Sequence, residues 1–309
     1  MKVGVFVPLV GDPASLPETL AVAATTAEAA GFHSLWFAEH VVLFDAHRSR
    51  YPYSEDGAFP IAGEDGLLEP FVAIAYAAAI TSRIRLGTGV CLVPQRSAIY
   101  TAKQVADCDV LSRGRVDFGV GIGWLREEFE ALDMDFDDRA ERCRDAIGAM
   151  RSLWTDALSS HDGALIRFPE LRMFPKPVQQ PHPPIIFGGD SDPALRRTAD
   201  LGQGWYGFNL APDAAAERVE RLTGMLERRG RRRSDVEVSI CPYLQPNLRD
   251  VAALHAYADA GVDQVIHLAA GPDPAAIRAE IERLGADLVA AAEGIATRRR
   301  VHGHGPGHD

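Results

Sequence analysis

The sequence predicts an α/β protein folded as a (β/α)8 barrel of the TIM type, and three observations carry that prediction. Short apolar runs alternate with longer helical stretches about eight times along 309 residues. A hydrophobic content of 47% beside 24% charged residues supplies one large core with a solvated outer ring. Two strands run straight into glycines, at Gly119-Val120-Gly121-Ile122-Gly123 and at Gly188-Gly189, which leaves bare backbone at the strand ends where a ligand can approach. A doubly wound open sheet is the alternative that the same alternation allows.

Taken in order, Val3 to Pro8 reads as the first strand and Ser15 to Ala30 as an alanine-rich helix stopped by Gly31. Ser34 to Ala38 is the second strand, Glu69 to Thr81 a helix and Ile84 to Val90 the third strand. A helix from Ala98 to Leu111, the strand at Val116, helices around Glu127 and from Ala140 to Trp154, and the strand at Ile185 follow. The rest alternates as helix Pro193 to Leu201, strand Gly204 to Phe208, helix Pro212 to Arg229, strand Val236 to Cys241, helix Val251 to Ala260, strand Val262 to Leu268 and a last helix Pro274 to Ala292. Residues 1–292 therefore form a single domain, and 293–309 read as a disordered tail. His302, His304 and His308 in that tail resemble a weak metal-binding tract, but a disordered, glycine-rich terminus is the reading adopted.

Two insertions interrupt the rhythm. Val41 to Leu68 follows strand 2 and is rich in Tyr, Pro, Gly and charge; Thr155 to Pro183 precedes strand 5 and contains a possible hairpin around Phe168 to Phe174. Long strand-to-helix connections lie on the face where barrels build their sites, so the first insertion is a candidate lid, with a plain surface loop as the alternative.

Bulk properties narrow the function. A formal charge of -11 opposes nucleic-acid binding, which needs a basic face. Cys91, Cys108, Cys143 and Cys241 are scattered, without the paired spacing of a zinc site, and no metal site is expected. The apolar stretch from Phe71 to Ile80 is too short to span a bilayer, so no membrane association is expected. The N-terminus reads as a strand rather than a signal peptide, which suggests a reduced, cytoplasmic protein.

Four segments in order carry a family resemblance: Trp36-Phe37-Ala38-Glu39-His40, Ile84-Arg85-Leu86-Gly87-Thr88-Gly89-Val90, Gly119 to Phe129, and Pro184-Ile185-Ile186-Phe187-Gly188-Gly189. Together they resemble the luciferase-like monooxygenase superfamily, and more narrowly its branch using the deazaflavin coenzyme F420, from about Met1 to Ala292. The resemblance implies a barrel with a flavin or deazaflavin on its C-terminal face, a small-molecule substrate and a homodimer.

Each segment has a chemical reading. Glu39-His40 ends a barrel strand, and histidine can exchange a proton near neutrality; the resemblance makes His40 the catalytic candidate with Glu39 as its orienter. A structural histidine beside a barrel salt bridge is the alternative. The family implies a cis peptide bond matching Gly89-Val90, at a bulge beside the ring. Gly121, Gly123 and Trp124 are expected beside the cofactor's side chain and ring, with Trp124 walling the substrate space; a carboxylate occupies the matching place in some deazaflavin relatives, and an indole cannot replace it as an acid. Gly188, Gly189 and Ser191 match a phosphate loop ahead of a helix start, with Pro193 as an early helical residue. Asp190 and Asp192 would repel a phosphate unless turned away, and Arg196 or Arg197 could offset them. Tyr51, Tyr53 and Phe59 are the lid residues expected around the substrate. The leading function is hydride transfer between F420 and a small organic compound. The alternatives are an FMN-dependent monooxygenase of the alkanal or alkane type and a cofactor-binding barrel without catalysis.

Overall fold

The computed structural model describes residues 1–297 and contains, in chain order, β1 (Lys2–Phe6), α1 (Leu16–Ala29), β2 (Ser34–Phe37), α2 (Pro70–Ile80), β3 (Arg85–Thr88) and β4 (Cys91–Leu92). Next come α3 (Ala98–Ser112), β5 (Val116–Gly121), α4 (Arg126–Ala131), α5 (Arg139–Thr155), β6 (Ser159–Asp162) and β7 (Arg167–Leu171). The remainder is β8 (Ile185–Gly188), α6 (Asp192–Leu201), β9 (Gly204–Phe208), α7 (Pro212–Glu227), β10 (Glu237–Cys241), α8 (Val251–Asp259), β11 (Gln264–Leu268) and α9 (Pro274–Leu284).

Strands β1, β2, β3, β5, β8, β9, β10 and β11 pair in that order, all parallel, and β11 returns to β1 with Val5 opposite His267. The sheet is thus a closed barrel, and the open-sheet alternative is set aside. Alternation along each strand sends one set of side chains outward and the other inward. Val3, Val5 and Val7 pack under the helices, whereas Phe6, Trp36, Ile186, Tyr206, Cys241 and Ile266 fill the interior. Gly87 keeps that interior passable, because a Cβ there would come 2.4 Å from the Trp36 ring.

Three expectations change. The last helix is not continuous to Ala292: α9 ends at Leu284, and a π-helical stretch, Gly285–Val289, precedes a short turn of helix at Ala290–Glu293. A Cβ at Gly285 would meet that of Ala30 at 2.8 Å, so this turn packs closely on the end of α1. The hairpin lies earlier than expected, β6 against β7 around residues 163–166, because Asp145 accepts hydrogen bonds from the Leu165 and Ile166 amides and fixes the turn there. The packed chain also reaches past residue 292, with Ile295 buried and the Met1 ammonium donating to the carbonyls of Ala292 and Ile295. The tail histidines lie outside the described residues.

Among the described residues, no helix is long and apolar enough to cross a membrane, and no group of three or more His, Cys, Asp or Glu is placed to hold a metal.

Candidate active site

At the C-terminal ends of the barrel strands lies a cavity of about 330 Å³, roofed by residues of the first insertion. Glu39, His40, Tyr51, Tyr53, Phe59, Gly89, Val90, Gly121, Gly123, Trp124, Gly188, Gly189 and Ser191 all line it. Residues drawn from five separate stretches of sequence thus meet at one place, the face where parallel barrels gather their functional groups.

His40 stands just beyond β2, and its Nδ1 lies 2.9 Å from Oε2 of Glu128 on α4. The Glu128 side chain is fully buried. Burial alone would raise its pKa; hydrogen bonds from His40, Gln95 Nε2 and the Val41 amide outweigh that and hold the carboxyl below its usual range. An ionised carboxylate only accepts, so Nδ1 carries the proton. The tautomer is fixed, and Nε2 is the ring nitrogen left for exchange with a ligand.

Glu39 is not the orienter of His40. Adjacent residues at a strand end point to opposite sides, and Glu39 turns instead to Arg96, with its other oxygen accepting the Leu92 amide at 2.5 Å. Arg96 also holds Glu69 and Gln104 and stacks over Phe71. Glu39 therefore anchors β4, immediately after the Gly89-Val90 bond, which is cis.

Two of the glycines at the strand ends also serve the packing of the barrel mouth. A Cβ on Gly121 would come 2.5 Å from Val90 Cγ2, and one on Gly188 would come 3.1 Å from Val90 Cγ1. Both make room for the Val90 side chain across the barrel mouth. Gly123 and Gly189 are the conformational cases, with φ of +79° and +95°, a region that side chains disfavour.

The roof is aromatic. Tyr51 packs edge-on against Tyr53, Phe59 and Trp124 at centroid distances of 5.4, 5.0 and 5.2 Å, and Phe59 meets His40 at 5.0 Å. Such pairs lock one another, so the roof is a connected wall rather than separate flaps. Two adjacent glutamates tie it down: Glu128 Oε1 accepts the Val41 amide, and Glu127 Oε1 accepts those of Arg48 and Ser49. Asn209, beyond β9, fastens the tip by donating to the Tyr53 carbonyl.

Gly188, Gly189, Asp190 and Ser191 line the other end together with Arg197. Ser191 is the N-cap of α6 but its hydroxyl caps nothing, and Pro193 is the second helical residue. Asp192 turns outward to Arg221. Asp190 stays at the cavity; burial and then its charge push the Tyr53 hydroxyl up to about 12. Of the two arginines weighed from sequence, Arg196 is exposed, whereas Arg197 is 5% exposed, with its Nε unpartnered and no ion pair to any described residue. Buried guanidinium groups are normally paired, so this one fits an anion that enters the cavity.

The family model for luciferase-like monooxygenases matches residues 1–300. The chain belongs to that family. It is 35% identical to an uncharacterized protein of Mycobacterium tuberculosis over 188 residues, 60% of this chain and 66% of that protein, so the likeness spans just under two thirds of the relative. The oxygenase component of a flavin-dependent trigonelline monooxygenase from Acinetobacter baylyi is 33% identical over 161 residues, 52% of this chain and 39% of that one. In three dimensions the chain resembles an F420-dependent secondary alcohol dehydrogenase, with a TM-score of 0.74 at 16% identity over 94% of this chain and 98% of that one, a likeness of fold.

Several functional groups of this luciferase-like barrel escape sequence reasoning. Glu128 sits in Arg126-Glu127-Glu128, which looks like a solvated helix start. Tyr206 and Phe208 alternate along β9 and both line the cavity, a period-two signal that was available. The Tyr206 hydroxyl is fully buried beside the Cys241 thiol, to which it is hydrogen-bonded.

Proposed function

We propose that the chain binds the deazaflavin coenzyme F420 and transfers hydride between it and a small organic carbonyl or alcohol, with His40 handling the proton. The observation that carries this reading is one cavity lined both by His40, which Glu128 orients from behind, and by the buried Arg197, which has no ion pair to any described residue. Arg197, the Gly189 and Ser191 backbone and the start of α6 would hold the phosphate, and the interior wall of Tyr206 and Phe208 would lie beside the ring system.

When bound, the deazaflavin supplies a hydride carrier. In the reducing direction, hydride reaching a carbonyl carbon leaves an electron pair on the carbonyl oxygen, and His40 Nε2 delivers a proton there while Nδ1 keeps its hydrogen bond to Glu128. In the oxidising direction Nε2 takes the hydroxyl proton. The aromatic roof excludes water from the transfer and presents an apolar wall to the substrate, with the Tyr51 and Tyr53 hydroxyls as its polar points.

One observation favours a second reading. The trigonelline monooxygenase relative is named as flavin-dependent, which supports an FMN-dependent oxygenation in the same cavity. Fluorescence titration of the purified protein separates the two: saturable binding of F420 with weaker FMN is expected, and tight FMN binding without F420 overturns the proposal.

The proposed assembly is a homodimer through the outer face of α2 and α3, where Val72, Tyr76 and Ile80 form an exposed apolar stripe beside Tyr100 and Leu111.

A further inference from the structure

We propose that the insertion after β2 encloses a second binding compartment, outside the reaction cavity and parted from it by Phe59 and Ile61, that takes the remote hydroxyl-bearing end of an elongated carbonyl or alcohol substrate. The inference rests on the proposed function in placing a cofactor and the reacting carbon in the inner cavity.

The size of the inner cavity sets the need. A pocket for one drug-sized ligand has about 300–1,000 Å³. The inner cavity has about 330 Å³ for the cofactor's ring and the substrate together, so only the reacting end of a substrate fits there. Beyond the roof, residues 44–64 surround a larger space of about 930 Å³. Phe59 and Ile61 line both spaces, so one layer of side chains separates them. Across the same layer His47, on the outer side, meets Trp124, on the inner side, at a centroid distance of 5.5 Å.

The chain that carries this layer is fastened at its ends and not between. Glu127 and Glu128 hold residues 41–49, and Asn209 holds the Tyr53 carbonyl. Ser54 and Asp56 fix Ala58, and the Leu68 amide donates to the Leu9 carbonyl. Between these anchors, the one hydrogen bond of the 59–64 backbone among the described residues runs from the Asp65 amide to the Ala62 carbonyl, within the loop itself. Moving Phe59 and Ile61 aside therefore loses packing but breaks no hydrogen bond to another element.

The outer space also differs in chemistry. Its charged and polar lining includes Asp45, His47, Arg48, Arg50, Asp56 and Glu64, where the inner wall is mainly aromatic and aliphatic. His47 Nδ1 lies 2.6 Å from the Ser49 carbonyl, so it carries a proton and leaves Nε2 as the acceptor of the neutral ring. Arg48 faces Glu127 and Glu130, and Arg50 donates to the Glu55 carbonyl. Asp45 and Glu64 make no ion pair or hydrogen bond among the described residues. The space thus offers mainly acceptors: a hydroxyl finds partners there, and a carboxylate meets like charge.

The test is calorimetry on the whole protein, saturated with whichever of F420 and FMN it binds, using butan-2-one, octan-2-one, 8-hydroxyoctan-2-one and 7-oxooctanoic acid. Wild type is compared with Ile61→Trp, which thickens the partition, and with Asp45→Asn/Glu64→Gln, which removes two charges and keeps the shapes. Thermal unfolding checks that each variant folds. The hydroxy ketone should bind wild type about three- to tenfold tighter than octan-2-one, and the keto acid about fivefold weaker than the hydroxy ketone. Ile61→Trp should weaken the hydroxy ketone about tenfold and change butan-2-one by less than about twofold. The double variant should narrow the gap between the hydroxyl and carboxylate ends. A hydroxy ketone that binds no tighter than octan-2-one overturns the compartment, because an apolar cavity penalises an unpaired hydroxyl. So does an Ile61→Trp variant that weakens both ketones alike, or an unchanged gap in the double variant. Saturation by FMN alone overturns the deazaflavin reading, and the same four probes then decide the compartment separately. Failure of every ketone to bind overturns the carbonyl reading and the compartment together.

Discussion

His40 and Glu128, 88 residues apart in sequence, meet through a 2.9 Å contact between Nδ1 and Oε2 inside the barrel mouth. The contact places the histidine's proton on Nδ1, and in the proposed hydride transfer Glu128 is a positioning residue that acts through the imidazole. Glu128→Gln should lower kcat by roughly ten- to a hundredfold and shift the pH profile of kcat, with cofactor affinity unchanged, while His40→Ala should cost about 10²- to 10⁴-fold. An unshifted pH profile in Glu128→Gln, measured beside cofactor binding, would remove the positioning role.

Trp124 touches Tyr51, Phe59, His40 and His47 at centroid distances of 5.2 to 5.9 Å, so it joins the roof to His40. Trp124→Ala removes those contacts at roughly 0.5–1.5 kcal/mol for each aromatic pair. The expected result is a rise of about tenfold or more in KM for the organic substrate, with a smaller change in cofactor affinity. Steady-state kinetics beside a cofactor titration checks the split.

Gly121 and Val90 occupy one space, and Gly121→Ala should destabilise the fold by about 1–3 kcal/mol through overpacking. Val90→Ala in the same chain should restore most of that loss. Denaturant unfolding of the two single variants and the pair tests it; a fully additive double variant would mean that the two side chains do not compete.

His267 on β11 is 1% exposed, with neither ring nitrogen partnered among the described residues. Burial, then the charges of Arg249 and Arg283, lowers its pKa from 6.5 to about 4. The folded value lies below the unfolded one, so the associated stability is fully present above pH 6.5 and is lost as pH falls from there toward about 4. The loss should reach up to roughly 3 kcal/mol, and His267→Phe should reduce the slope of this part of the stability curve, with His33, whose pKa burial likewise lowers to about 4, supplying part of the rest. Unfolding midpoints measured across that window decide it.

The parts of the site legible in the sequence were those with local signatures. A strand ending in Glu39-His40, glycines at two strand ends and an aromatic insertion after strand 2 can each be read without knowing what they touch. Partners brought together by the barrel were not legible. Glu128 is buried because residues 40–42 fold over a helix start that is charged in sequence, so no periodicity marks it. Glu39 was paired with its neighbour by adjacency, when the strand's alternation turns it toward Arg96. The glycines line the cavity, but that Gly121 and Gly188 also make room for Val90 was not legible, because Val90 lies in another strand's continuation. Asp190 and Asp192, which stood against a phosphate site, separate once the fold directs one to Arg221 and leaves the other lining the cavity together with Arg197, which has no ion pair to any described residue.

The most direct test of the central claim is mass spectrometry of the chromophore released from this protein after expression in a host that makes both F420 and FMN. Release of the deazaflavin is the expected result. Release of FMN alone would contradict it.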